Sequence, residues 1–123
     1  MSSKSDMHDA NLLKEGVLRL YREPVIGAGY GNTYGEENIK NLVKKYRSLN
    51  PADMQVMMDL LVDYSKSSDL ASSYVSVGVL HALGMSSKVD EAYEWAKTME
   101  DSNTFKSHFD IGKSLADHFI GFR

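Results

Sequence analysis

Four histidines, two closely spaced acidic pairs and one glycine-rich run are the places where this chain could carry chemistry. The histidines are His8, His81, His108 and His118. Holding a metal from one helix requires a second histidine or a carboxylate cluster four residues away on the same face, and none of the four has one. His108 and His118 lie ten residues apart, about 15 Å along a helix, too far to share an ion by themselves. Asp110 and Asp117 flank them, but no serine elbow or paired-acid signature accompanies them. His81 falls in an apolar stretch and reads as a satisfied core histidine, with a metal or catalytic role as the alternative. The chain has no cysteine, which removes thiolate ligands, thiol nucleophiles and disulfides, and points to a reducing compartment. The expectation is a protein without catalytic, cofactor-binding or metal-ligating residues.

The run from Gly27 to Gly35 holds four glycines in nine residues, with Tyr30 and Tyr34 between them. A dinucleotide loop would need a further glycine where Asn32 stands, a preceding buried strand and a following helix. No Gly-Lys-Ser/Thr follows either, so the phosphate cradle lacks its lysine. Two readings stay open: a connector between helices, or a partner-contacting loop in which Tyr30 and Tyr34 supply contact area while glycine lets the backbone adapt.

Asp59 with Asp63, and Glu91 with Glu94, are spaced to share the outer faces of their helices. They belong to an acidic stretch, residues 51–101, with nine Asp/Glu against Lys66, Lys88 and Lys97, in a chain whose net charge is −3. Phosphate backbones are repelled by such a stretch and a basic protein partner is attracted, so direct nucleic-acid binding is not expected here. A solvated surface is the plain reading of the two pairs; an electrostatic footprint is the functional one.

Helices must position these groups. Ala10, Leu13, Val17, Leu20 and Tyr21 recur at three- and four-residue spacing and predict a first helix over Ser5–Arg22, ended by Pro24. Glu36 and Glu37 open a second, with Ile39, Leu42, Val43 and Tyr46 inward and a stop near Ser48. Asn50-Pro51-Ala52-Asp53 caps a third, where Met54, Met57, Met58, Leu61 and Tyr64 face the core. Those methionines could instead form an adaptable surface, but their spacing favours the core.

From Leu70 to Leu83 apolar residues occupy nearly every face, the pattern of a buried central helix. Gly78 inside it costs about 1 kcal/mol against alanine, which close approach of a neighbour offsets. Gly84 caps its end. A fifth helix starts at Ser86 or Ser87 with Val89, Ala92, Tyr93, Ala96 and Met99 inward. A last one carries Phe105, Phe109, Ile111, Leu115, Ala116 and Phe119. No stretch alternates with period two. The 123 residues therefore predict one all-α domain, an antiparallel bundle of about six helices with a glycine-rich loop at 24–35. Neither a membrane-spanning run nor a signal peptide is visible, so the expected location is the cytoplasm and the free protein is expected to be a monomer.

Tyr74, Gly78, Gly84, Asp90, Ala92 and Trp95 follow the order Y-x3-G-x5-G-x5-D-x-A-x2-W, which resembles one helical hairpin of the tetratricopeptide or Sel1-like repeats over residues 70–100. Gly112 lies 34 positions after Gly78, and Ile111 matches Val77; His108 stands where the repeat has a large aromatic, and Lys44 where an earlier glycine would fall. That resemblance implies an interaction adaptor. The whole-chain character, with segments such as Leu80-His81-Ala82-Leu83-Gly84 and Glu91-Ala92-Tyr93-Glu94-Trp95-Ala96, is similar to the small all-helical immunity proteins of bacterial contact-dependent growth inhibition. This second resemblance implies a non-enzymatic inhibitor that covers the active site of a basic toxin domain, such as a nuclease.

Overall fold

The computed structural model describes residues 3–27 and 32–120. They form six helices: α1 (Ser3–Arg22), α2 (Glu36–Arg47), α3 (Pro51–Ser65), α4 (Leu70–Ala82), α5 (Ser86–Ala96) and α6 (Ser102–Ile120). No strand occurs among the described residues, and none of their helices is long and apolar enough to cross a membrane.

Local chemistry sets the helix ends. Asn50 accepts a hydrogen bond from the Asp53 amide at 2.8 Å, with Pro51 in the first turn of α3. Asp69 caps α4, accepting from the Ser72 amide at 3.1 Å and the Ser72 hydroxyl at 2.6 Å. At the other end of α4, Gly84 adopts φ +77°; its amide reaches the His81 carbonyl and the Met85 amide reaches that of Leu80. This closing pattern needs the left-handed region that glycine enters freely.

Consecutive helices run antiparallel and stack in two layers. Ile39 meets Gly78, Tyr74 lies against His108 and Gly78 against Gly112, so α2, α4 and α6 run in one direction. Tyr21 meets Tyr64, and Lys14 sits beside Asp59 and Leu60, so α1 and α3 run together in the other layer. On α5, Tyr93 packs on Phe109 and Trp95 on Phe105, which sets it antiparallel to α6. The centre is α4, buried without a break from Ser73 to Leu80. Val17, Ile39, Leu42, Met57, Leu61, Phe105 and Phe109 close around it. Met57 and Met58 are buried and Met54 half-buried, so the α3 methionines serve the core.

Two contacts make α4 fit. A Cβ on Gly112 would lie 2.7 Å from the Tyr74 carbonyl oxygen, and one on Gly78 would lie 2.8 Å from Ile39 Cδ1 and 3.0 Å from the Gly112 carbonyl oxygen. The glycines let two helix backbones touch. The serines of α4 are satisfied inside the core: the Ser73 hydroxyl donates to the Ser65 carbonyl at 2.7 Å, and Ser76 shares a hydrogen bond with the Tyr21 hydroxyl.

Burial pushes the Tyr21 phenol well above its ordinary pKa, outweighing the opposing hydrogen bond to Ser76. The unfolded chain releases this proton near pH 10.0 while the folded chain keeps it. The stabilisation is therefore complete below that pH and is lost as pH rises further. Urea unfolding between pH 10 and 11.5 should show stability falling by about 1.4 kcal/mol per pH unit on account of this group, and Tyr21→Phe should flatten the slope by that amount.

Candidate functional site

On the outer face of α3, Asp59 and Asp63 form a ridge between two grooves. One groove is lined by Gln55, Met58, Asp59, Val62, Asp63 and Lys88; the other by Ala10, Lys14, Val56, Asp59, Leu60 and Asp63. Both carboxylates are exposed because their i, i+4 positions point away from Met57 and Leu61, which face the core. Gln55 Nε2 donates to Asp59 Oδ1 at 2.9 Å.

Glu91 joins this face from α5. Its carboxylate lies 3.5 Å from Lys88 Nζ and 3.8 Å from Lys66 Nζ. The face therefore mixes three exposed carboxylates with lysines at its edges, beside Met58 and Val62. The pairs are half-exposed to exposed, a setting in which an ion pair contributes about 0–1 kcal/mol, so the lysine ends can swing away when a partner arrives.

Glu94 is not brought to the same cluster. It accepts a hydrogen bond from Lys97 at 2.7 Å, and Lys106 of α6 adds to the positive field around it. The Lys97 hydrogen bond, followed by the Lys97 charge, holds its carboxyl below the usual range. Of the loop tyrosines, Tyr34 is exposed, whereas Tyr30 lies outside the described residues.

The two arms of the 24–35 loop are held by buried amides. Asn32 Nδ2 donates to the carbonyls of Pro24 and Val25 at 3.4 and 3.2 Å and to Asn38 Oδ1 at 3.0 Å. Asn38 Nδ2 donates to the Leu20 and Pro24 carbonyls, both at 3.0 Å. Asn32 Oδ1 accepts from the Glu37 amide at 2.9 Å, which satisfies one of the open donors at the start of α2. Glycine content alone suggests free movement; these bonds fix the arms from the helix side.

Two of the histidines, His81 and His108, find partners that the sequence did not announce. His81 Nε2 lies 2.6 Å from Asp117 Oδ1, in a cleft shared with Tyr46, Arg47 and the Ala82–Gly84 turn. His81 is thus a half-exposed link between α4 and α6 rather than a core histidine. His108 Nδ1 sits 2.8 Å from the Thr104 carbonyl, and its ring lies 5.4 Å from that of Tyr74. No group of three or more potential metal ligands gathers among the described residues. Tyr93 donates to Asp110, with Lys113 Nζ 5.1 Å from the ring centre. Burial first, and the hydrogen bond to the Asp110 carboxylate second, raise its phenol pKa.

The Gly78/Gly112 register was the available signal for the His81–Asp117 contact, because a parallel pairing offset by 34 residues brings position 81 beside 115 and its neighbours. Lys88 and Glu91 are three apart on one helix and could have been read as a pair; Lys66 with Glu91 needed the packing of α3 on α5. No family model, curated protein or solved structure matches the chain.

Proposed function

We propose that the protein is a non-enzymatic inhibitor, an immunity protein that acts in the cytoplasm by binding a basic toxin domain, of nuclease type, and covering its active site. The observation that carries this reading is the α3/α5 face, where Asp59 and Asp63 line a groove with Met58, Val62 and Lys88, and Glu91 pairs with that lysine at 3.5 Å. A nuclease cleft is positive because it holds phosphate, and an acidic surface complements it in charge, with the half-buried Val62 adding apolar contact. The long-range field brings the partner in, and the apolar contact contributes once water is displaced.

Replacing Asp59 and Asp63 by lysine tests this face. With the bound toxin domain as partner, the association rate should fall by about tenfold or more at low salt and lose most of its salt dependence. The melting temperature should hardly move, because both side chains are exposed. An unchanged association rate would remove the face from the interface.

A tetratricopeptide-like adaptor is the second reading, favoured by the 34-residue register between α4 and α6. The register concerns packing. A peptide groove of that family would need an open face on the central helix, and residues 73–80 of α4 are buried throughout.

A further inference from the structure

We propose that the two arms of the 24–35 loop, through Val25 and Tyr34, form an anchor that enters an apolar pocket rimmed by basic groups on a protein partner. The inference rests on the reading of the molecule as a binder of a basic protein and adds where that partner is gripped. Among the described residues three large apolar side chains are exposed; Val25, at 62%, and Tyr34, at 42%, belong to this one loop, and the third, Leu12, lies on α1.

Their neighbours point the other way. Ile26 packs against Gly35, where a Cβ would lie 3.1 Å from Ile26 Cδ1, and Gly35 takes φ +80°, a conformation that disfavours a side chain. The backbone on either side of Val25 is tied down, since the Pro24 and Val25 carbonyls both accept from Asn32 and the Gly27 amide donates to the Asn32 carbonyl at 2.9 Å. Tyr34 is fixed from its own amide, which donates to Glu36 Oε2 at 3.0 Å. Two exposed apolar groups, one on an arm held by buried amides and one beside Asn32 and Gly35, meet a partner with little ordering left to do, which is how a pre-organised contact gains affinity.

The charge around the anchor selects the partner. In sequence Glu23, Glu36 and Glu37 flank it, with Arg22 and Lys40 as the nearby cations. Glu37 meets Lys40 at 3.8 Å, and the Glu36 carboxylate is held at the Tyr34 amide. An apolar pair with carboxylates around it fits a pocket with lysines or arginines at its edge, and repels an acidic one.

The probe is a phage-displayed library of random 16-residue peptides, selected on the full chain. Enriched peptides should combine aliphatic or aromatic residues with Lys/Arg. A synthetic peptide of that consensus should bind the Val25→Ser/Tyr34→Ser protein about tenfold or more weakly and the Val25→Ile/Tyr34→Phe protein within about twofold of wild type. Matching melting temperatures for all variants keep folding out of the comparison. Asp59→Lys/Asp63→Lys should leave this affinity within about threefold. Loss of binding in that variant, with none in the Val25/Tyr34 variant, would overturn the anchor and leave the α3/α5 face standing. An acidic consensus would overturn both, and failure of the library to enrich would overturn the anchor.

Discussion

Gly112→Ala should lower the unfolding free energy by about 2–3 kcal/mol and the melting temperature by roughly 10 °C, measured by urea and thermal unfolding. Helix propensity alone gives the opposite sign, because alanine in a helix interior is favoured over glycine by about 1 kcal/mol. The contact decides: the new methyl would stand 2.7 Å from the Tyr74 carbonyl oxygen, a backbone atom that cannot retreat without moving α4, and α4 is held on all sides. Gly78→Ala should do less damage, about 1–2 kcal/mol, because its nearest neighbour is the flexible end of Ile39 at 2.8 Å, although the Gly112 carbonyl at 3.0 Å remains. Gly16 on α1 has nothing within 4 Å of a built Cβ, so Gly16→Ala should stabilise by about 0.5–1 kcal/mol. A stabilised Gly112→Ala protein would contradict the α4/α6 packing.

Asn38→Ala is the second large effect, expected to cost about 2–4 kcal/mol in urea unfolding. The side chain is fully buried and serves three groups: the carbonyls of Leu20 and Pro24, and the Asn32 amide. Removing it leaves the Leu20 carbonyl without its side-chain donor and takes one of two side-chain donors from the Pro24 carbonyl, each lost partner costing about 1–3 kcal/mol unless water enters. Because the same bonds hold Pro24 and Asn32, the variant should also be cut by protease within residues 23–35 at a concentration that leaves the wild type intact. Asn38→Asp should not rescue it, since a carboxylate accepts where two donors are required.

Much of the fold could be read because its determinants are local. Asn50-Pro51, Gly84 and the apolar stripes of α2 and α3 each act within a turn or two, and the helices begin and end where those residues stand. Gly78 announced a close neighbour, and the structure supplies Gly112. Asn38 carried no such signal: an asparagine beside Ile39 on an amphipathic helix looks like surface, and its burial follows only once the irregular arms of the 24–35 loop present carbonyls that need donors.

The candidate site was half legible. The spacing of Asp59 and Asp63 placed both on one exposed face, but their grooves depend on α1 and α5 lying beside α3, which no local pattern specifies. Glu91 and Glu94, three apart, part company because Glu91 faces Lys66, just past the end of α3, while Glu94 answers Lys97 and Lys106. His81 and Asp117 meet across 36 residues of sequence, a contact created by the parallel packing of α4 and α6.

A single titration tests the proposal that this molecule neutralises a basic nuclease by occupying its cleft. The protein is added in increasing amounts to each member of a panel of purified basic toxin nuclease domains, including any encoded beside it, and cleavage of a labelled nucleic acid is followed. Cleavage by one member should stop at a 1:1 ratio, and the Asp59→Lys/Asp63→Lys protein should require a large excess over that member to do the same. Undiminished cleavage by every member at about tenfold excess of the wild-type protein would contradict it.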